Sequence, residues 1–415
     1  MAPGRSKGEA ADGERVGGIL SACRAPNGLI LNAFSFLNLM HLVIAVKEKL
    51  KALRKICAKF HAMRPSLKAR GTLKDVAKIV GVSTATVSNA FSRPDQLSPQ
   101  LREKVLAAAR SLNYAGPNPA ARMLSTGFAR TIAVVYAEPL HHAFHDPAAS
   151  AFVGGVAEAC TQQRLGLLLL QGGEAFQDIV QTAAVDGLII YGMPKGNVTI
   201  QTVLNRALPV IVVDQPLLPK VPFIGIDDRA AARACAQHIN DLGHQRIGIV
   251  TFALHDDGYC GPVEQKRLKT ACFQLSRRRI EGYLDVLEPN RAEGSLNIWE
   301  CPRSSEEDGK TAAGNLFGNE PRPTAILAMS DRLAIGVMEV VRGHQLRIPE
   351  DVAVVGFDDI PAAKVITPQL TTVHQPMEEK GRLAALSLLK ENGPVRLKLP
   401  TKLIIRESTT AGKRA

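Results

Sequence analysis

From Ile132 to Asp358 the chain repeats one texture, a short and nearly unbroken apolar run followed by an amphipathic stretch, and this alternation limits the fold more than any other feature. The runs lie at 132–136, 165–170, 187–191, 210–214, 223–227, 246–252, 325–329 and 352–358. Strands apolar on both faces, alternating with helices, belong to parallel sheets covered on both sides. The segment 230–243 reads as one such helix, with Gly243 at its C-cap. The pattern occurs before and again after residue 240, which predicts two similar α/β lobes. In such sheets ligands bind beyond the carboxyl ends of the strands. Polar residues just after a strand are therefore binding candidates: Asp214 ends one run, Asp331 follows another and Asp358 a third. Arg279 joins them at the start of a helix reading RIEGYLDVL. His142, Phe144 and Asp146, after the first strand, offer an aromatic face for stacking, while Ser330 and Asp359 are assigned supporting places. Asp214, Arg279, Asp331 and Asp358 each have an alternative role as a helix cap or a lobe-bridging ion pair, and for Asp214 the two readings weigh about equally.

A different texture precedes the alternation. In TLKDVAKIVGVSTATVSNAF (72–91) Thr72 and Asp75 form a capping box that opens a helix at Leu73. Val76, Ala77, Ile79 and Val80 give that helix an apolar face, and Gly81 permits the left-handed backbone of a tight turn. Ser83 caps a second helix from Thr84 to about Phe91, with Ala85, Val87, Ala90 and Phe91 available for packing. Thr84, Thr86, Ser88 and Asn89 are short polar side chains near its start, where the second helix of a helix-turn-helix meets base edges. Ser98 followed by Pro99 opens a third helix, and Gly116, Pro117 and Pro119 end the helical region.

Several local patterns converge on one family. GVS-x-x-TVS at 81–88, LNY at 112–114, AR-x-L-x-TG at 121–127, Ser330-Asp331 and VVGFDD at 354–359 occur in order. From Thr72 to about Thr410 the chain resembles the bacterial LacI/GalR family of sugar-responsive repressors. The resemblance implies an N-terminal all-α helix-turn-helix head joined to a two-lobed, periplasmic-binding-protein-like α/β effector domain. It divides the chain into 1–70, an N-terminal extension; 71–116, the DNA-binding head; 117–130, a hinge; and 131–410, the effector-binding and dimerisation domain. It places Thr84, Ala85 and Asn89 in the major groove, where Asn89 can pair with adenine and the other two offer methyl contact to thymine. Thr72, Ser83, Thr86, Ser88 and Asn113 are assigned to the DNA interface, chiefly to phosphates. Leu124 takes the place of a leucine that wedges a base step in the minor groove. Arg279, Asp331 and Asp358 inherit an effector-binding role, joined by Asp214 and Phe144. Carboxylates and a guanidinium suit a sugar or related polyol, whose hydroxyls both donate and accept. The implied partners are double-stranded operator DNA, a sugar-like effector and a second copy of the chain.

Charge supports this division. Residues 1–70 hold 13 Lys and Arg against 4 Asp and Glu, residues 71–130 hold 8 against 3, and the remaining 285 residues hold 30 against 32. A basic head on a near-neutral body suits phosphate binding at one end and ligand binding at the other. The seven cysteines (Cys23, Cys57, Cys160, Cys235, Cys260, Cys272 and Cys301) are odd in number and show no CxxC pairing, which fits a reduced cytoplasm. P-loop, GxGxxG, HExxH and GxSxG patterns are lacking, so no enzyme, metal or cofactor is expected. The apolar run 29–46, followed by a basic stretch, has the length of a membrane helix. Asn32, Ser35, Asn38 and His41 count against that reading, and an extension or an upstream-assigned start is preferred, with no membrane expected. The alternative for the whole chain is a periplasmic-type sugar-binding protein without DNA function. It would need the same run as an export signal, yet the run starts late and lacks a small-residue cleavage site.

Overall fold

The computed structural model describes residues 71–117, Met123, 126–289, 294–318, 320–389 and 396–409. The extension 1–70 with its apolar run, and Leu124 in the hinge, lie outside these residues. Among the described residues no helix is long and apolar enough to cross a membrane. The chain forms two compact units, one ending at Pro119 and the other beginning at Ala120.

Among the described residues the first unit has three α-helices, α1 (Leu73–Val80), α2 (Thr84–Ser92) and α3 (Pro99–Ser111). The capping box is formed: Thr72 Oγ1 accepts from Asp75 N at 3.3 Å, and Asp75 Oδ2 accepts from Thr72 N at 2.8 Å. Gly81 sits at φ 73°, and Ser83 and Ser98 cap α2 and α3. Val76, Ala77, Val87, Ala90, Val105, Ala108 and Ala109 form the small core. Two inward assignments fail. Ile79 is 58% exposed; it falls roughly 60° outside the stripe set by Val76, Val80 and Ala77, given 3.6 residues per turn. Ala85 is exposed because it stands on the face of α2 away from Val87 and Ala90.

The second unit has strands β1 (Thr131–Tyr136), β2 (Gly166–Gln171), β3 (Gly187–Tyr191), β4 (Val210–Val213), β5 (Phe223–Ile226), β6 (Ile247–Thr251), β7 (Gly261–Pro262) and β8 (Leu296–Glu300). They continue with β9 (Ala325–Ala328), β10 (Ala353–Val355), β11 (Thr372–His374), β12 (Arg396–Leu399) and β13 (Lys402–Ile404). One sheet has the order β12-β5-β4-β3-β1-β2 with parallel pairings; the other has the order β10-β9-β6-β8-β7, parallel except for β7 against β8. The eight anticipated runs all carry strands, most within one or two residues of their bounds, while the run 352–358 carries only the three-residue β10. The lobes are not cleanly sequential, however. The chain crosses between them near 226–228, 374–377 and 399–402, so β12 returns to complete the first sheet. The crossings join the two lobes through three connections.

The longer helices of this unit are α4 (Pro147–Gln163), α5 (Asp228–Asp241), α6 (Gln274–Leu287), α7 (Glu306–Phe317), α8 (Asp331–Gly343) and α9 (Met377–Leu388). They pack as the pairs α4–α9, α5–α6 and α7–α8, with glycines where backbones nearly touch. A Cβ on Gly155 would lie 1.8 Å from the Glu378 carbonyl oxygen, and one on Gly381 would lie 2.0 Å from that of Phe152. Gly155→Ala must therefore push α4 and α9 apart. It is expected to destabilise by about 3 kcal/mol or more, the upper range for overpacking. A urea midpoint unchanged from wild type would show that the helices can separate at little cost.

Candidate functional site

The exposed front of the first unit is built by α2 and its approach. Ser83, Thr84 and Ala85 are exposed at the helix start, while Thr86, Ser88 and Asn89 are half-buried along its flank. Ser83 Oγ accepts from Thr86 N at 3.0 Å and contacts Thr86 Oγ1 at 2.9 Å. Asn89 Nδ2 donates to Gln96 Oε1 at 3.3 Å, so its amide is already steered by a neighbour. Gln96 drew no attention in the sequence because it lies in the short turn after α2. Thr72 is spent on its capping box, and Asn113 is exposed at φ 51° just beyond α3.

In the second unit a cleft of about 600 Å³ opens between the two lobes, at the carboxyl ends of their strands. Tyr136, Tyr191 and Asp214 reach it from β1, β3 and the end of β4. Phe252, Ser330 and Asp358 reach it from beyond β6, β9 and β10, and Arg279 from α6. Arg279 is the sixth residue of α6 rather than its first, one turn further into the helix than its sequence suggested.

Arg279 is 3% exposed. Its Nε donates to Asp228 Oδ1 at 2.9 Å and its Nη1 to the Met329 carbonyl at 2.7 Å, while the guanidinium stacks 3.6 Å over the Phe357 ring. Burial works to lower its pKa, but the charges of Asp228 and Asp358 prevail and raise it. Burial also pushes the Asp358 carboxyl far above its ordinary range, against the pull of Arg279. Asp358 accepts from Gln375 Nε2 at 2.5 Å; Gln375 Oε1 in turn accepts from Lys380 Nζ at 2.9 Å, and Lys380 donates to Asp214 Oδ1 at 2.7 Å. One continuous network thus joins Asp358 on one wall to Asp214 on the other, through a lysine with no exposed surface. Asp214 and Asp358 both hold positive φ, 65° and 117°. Such backbone costs about 1–3 kcal/mol each for residues other than glycine, and it concentrates at functional sites.

Tyr136 adds a group that strand-end reasoning missed. It is a core aromatic on β1, yet its hydroxyl is buried without a hydrogen-bond partner. Tyr191, stacked on Phe152 at 4.3 Å, lies among Asp146, Asp214 and Asp358, whose charges help burial raise its phenol. His142 and Asp146 also line the cleft.

Two assignments are corrected. Phe144 is 65% exposed and does not line the cleft, because the four-residue helix His142–His145 turns it to solvent. Asp331 is fully buried behind the wall, and its neighbour Ser330 takes the lining place. Asp331 accepts from Ile360 N at 2.8 Å and Thr372 Oγ1 at 2.5 Å, and its own N donates to the Phe357 carbonyl at 2.7 Å. It packs so tightly on Gly356 that a Cβ there would lie 2.2 Å from Asp331 Oδ1. Asp331 therefore holds the 356–360 turn that presents Asp358. Burial, with the Asp359 charge, lifts its carboxyl from 3.8 to about 7. A raised carboxyl stabilises the fold fully below its unfolded pKa, and the contribution is lost as pH rises toward 7. Urea unfolding should therefore show the wild type losing more stability than Asp331→Asn between pH 5 and 7. Parallel curves for the two proteins would refute the assignment.

A capped helix pair presenting short polar side chains, and a two-lobed α/β domain whose cleft holds charged groups on both walls, are the two parts of a regulator that joins a DNA-binding to a ligand-binding domain, and comparison with known proteins shows that class. Residues 72–118 match the model for bacterial regulatory proteins of the lacI family, and residues 236–409 match that for a periplasmic binding protein-like domain. An HTH-type transcriptional regulator of Mycobacterium tuberculosis is 40% identical over 360 residues, covering 85% of this chain and 99% of its own. A CelR–cellobiose complex shares 27% identity at a TM-score of 0.59, covering 82% of this chain and 100% of its own. The lac repressor dimer bound to operator and the anti-inducer ONPF shares 26% at 0.66, covering 82% and 99%. The chain belongs to the LacI family of transcriptional regulators and is not an enzyme.

Proposed function

We propose that the chain is a cytoplasmic repressor that binds operator DNA as a homodimer, with its affinity set by a sugar or related polyol in the cleft. The observation that carries this reading is the convergence of Arg279, Asp358, Asp214 and the unpartnered Tyr136 hydroxyl on one cavity from both lobes. Such groups match the mixed donors and acceptors of adjacent hydroxyls. The cellobiose bound by CelR, and the operator and anti-inducer bound by the lac repressor dimer, support the same assignment. In this reading 71–116 is the head, 117–130 with Leu124 the linker to it, and 131–410 the effector and dimerisation domain. Thr84, Ala85 and Asn89 face bases, and Thr72, Ser83, Thr86, Ser88 and Asn113 face phosphates. Effector binding shifts the balance between lobe arrangements pivoting on the three crossings, and so the spacing of two heads. A thermal-shift screen of sugars and nucleosides against the wild type and Asp358→Ala tests the cleft. At least one ligand should stabilise the wild type and lose most of that shift in the variant; equal stabilisation of both proteins refutes the pocket.

A further inference from the structure

Cys260 directly precedes β7, and Cys301 directly follows β8. The two strands run antiparallel with Gly261 opposite Glu300 and Pro262 opposite Trp299, so one further step of that register sets Cys260 opposite Cys301. Val263 N donates to the Ile298 carbonyl at 2.9 Å, which marks Ile298 as a hydrogen-bonded position of the ladder. Positions alternate along an antiparallel pair. Glu300 is therefore the next hydrogen-bonded position, while Trp299 and Cys301 are not. Pro262, lacking an N–H, fits opposite Trp299, and Cys301 N donates away from β7, to the Thr251 carbonyl at 2.8 Å.

A non-hydrogen-bonded pair brings Cα atoms to about 4.5 Å, within the roughly 4.4–6.8 Å that a disulfide spans. Directly opposed residues also share a sheet face. Tyr259 takes the other face, with its ring 4.1 Å from the Arg267 guanidinium, which leaves Cys260 on the side of Cys301. Cys260 is exposed and Cys301 buried, both as free thiols. Burial, then the neighbouring Asp308 and Cys260, raise the Cys301 thiol. Gly258 and Pro302, close to the two sulfurs in sequence, line the cleft.

We propose that Cys260 and Cys301 are a reversible disulfide site at the lip of the cleft, oxidised by a peroxide. The Cys260 thiolate attacks one peroxide oxygen and the O–O bond breaks, leaving a sulfenic acid and hydroxide, which takes up the proton that Cys260 released. The Cys301 sulfur then attacks the sulfenic sulfur, and its proton leaves with the hydroxyl as water. Two thiols are oxidised by two electrons and one hydrogen peroxide is reduced to two waters. Exposure suits Cys260 to the first step, and the register that sets Cys301 opposite Cys260 holds the second thiol within reach for the second.

The full chain, treated with hydrogen peroxide and digested without reductant, is read by mass spectrometry. A peptide linking Cys260 to Cys301, lighter by two hydrogens, should form and disappear with dithiothreitol. Cys260→Ser, at an exposed position that leaves the fold intact, should abolish it. Oxidation of Cys260 that stops at sulfenic or higher acids would overturn the proposal, as would a link from Cys260 to any other cysteine or an unchanged thiol count.

Discussion

Arg279→Met should destabilise the protein by about 3–5 kcal/mol in urea unfolding at pH 7, the usual loss when one partner of a buried ion pair is removed. Arg279 and Asp228 are each 3% exposed, and they meet at 2.9 Å inside the second lobe. Burial already raises the Asp228 carboxyl, with Arg279 the largest opposing influence. Without the guanidinium Asp228 must either stay charged and unpaired or take up a proton. Its folded pKa then rises further, so the penalty is greatest at neutral pH and shrinks as pH falls toward 5. Asp228→Asn added to Arg279→Met should recover much of the loss, because no buried charge then remains at that pair. Asp358 also depends on Arg279 to restrain its carboxyl, so the single variant should lose its ligand response along with its stability. A loss below about 1 kcal/mol at pH 7 would mean that water reaches the pair and that it behaves as a surface bridge.

The elements of this fold were legible where one local pattern sufficed. The apolar runs gave eight strands, and the caps at Thr72, Ser83 and Ser98 gave the head helices almost to the residue. What escaped was determined by contacts far apart in sequence. β8 was missed because LNIWE mixes polar and apolar residues, as a strand does when its partner β7 covers an edge with two residues only. β12 joins the first sheet because the chain has already crossed back before α9, which periodicity does not encode. The cleft shows the same limit. Asp214 and Asp358 line it, as their places beside strands implied, and Arg279 lines it from α6, but the exchange of roles between Ser330 and Asp331 depends on Thr372 and Ile360 claiming the carboxylate. Lys380 and Gln375 had no motif to announce them, and Tyr136 looked like any strand aromatic until its hydroxyl was found without a partner.

DNA binding by the full chain should fall about 10³–10⁵-fold between 50 and 200 mM salt, the span for roughly six to ten phosphate contacts shared by two heads. The described part of each head holds Lys74, Lys78, Arg93, Arg102, Lys104 and Arg110 against Asp75, Asp95 and Glu103. The surplus is therefore 6 − 3 = 3 positive charges per head, with Arg110 paired to Glu103 at 2.6 Å and Arg102 donating to the Ala90 carbonyl at 3.4 Å. The N-terminus of α2, capped at Ser83, adds backbone donors at the end that faces DNA in a helix-turn-helix. Asn89→Ala should act differently. Its amide donates to Gln96 in the free protein, and turning both groups to one adenine would cost little. The variant should lose about 1–3 kcal/mol at that base pair only, with an unchanged slope of log K against log salt, because no phosphate contact is removed. A flat salt response would sink the head's role on DNA, whereas a normal slope with unaltered base preference would move the reading contact from Asn89 to Gln96 or Thr84.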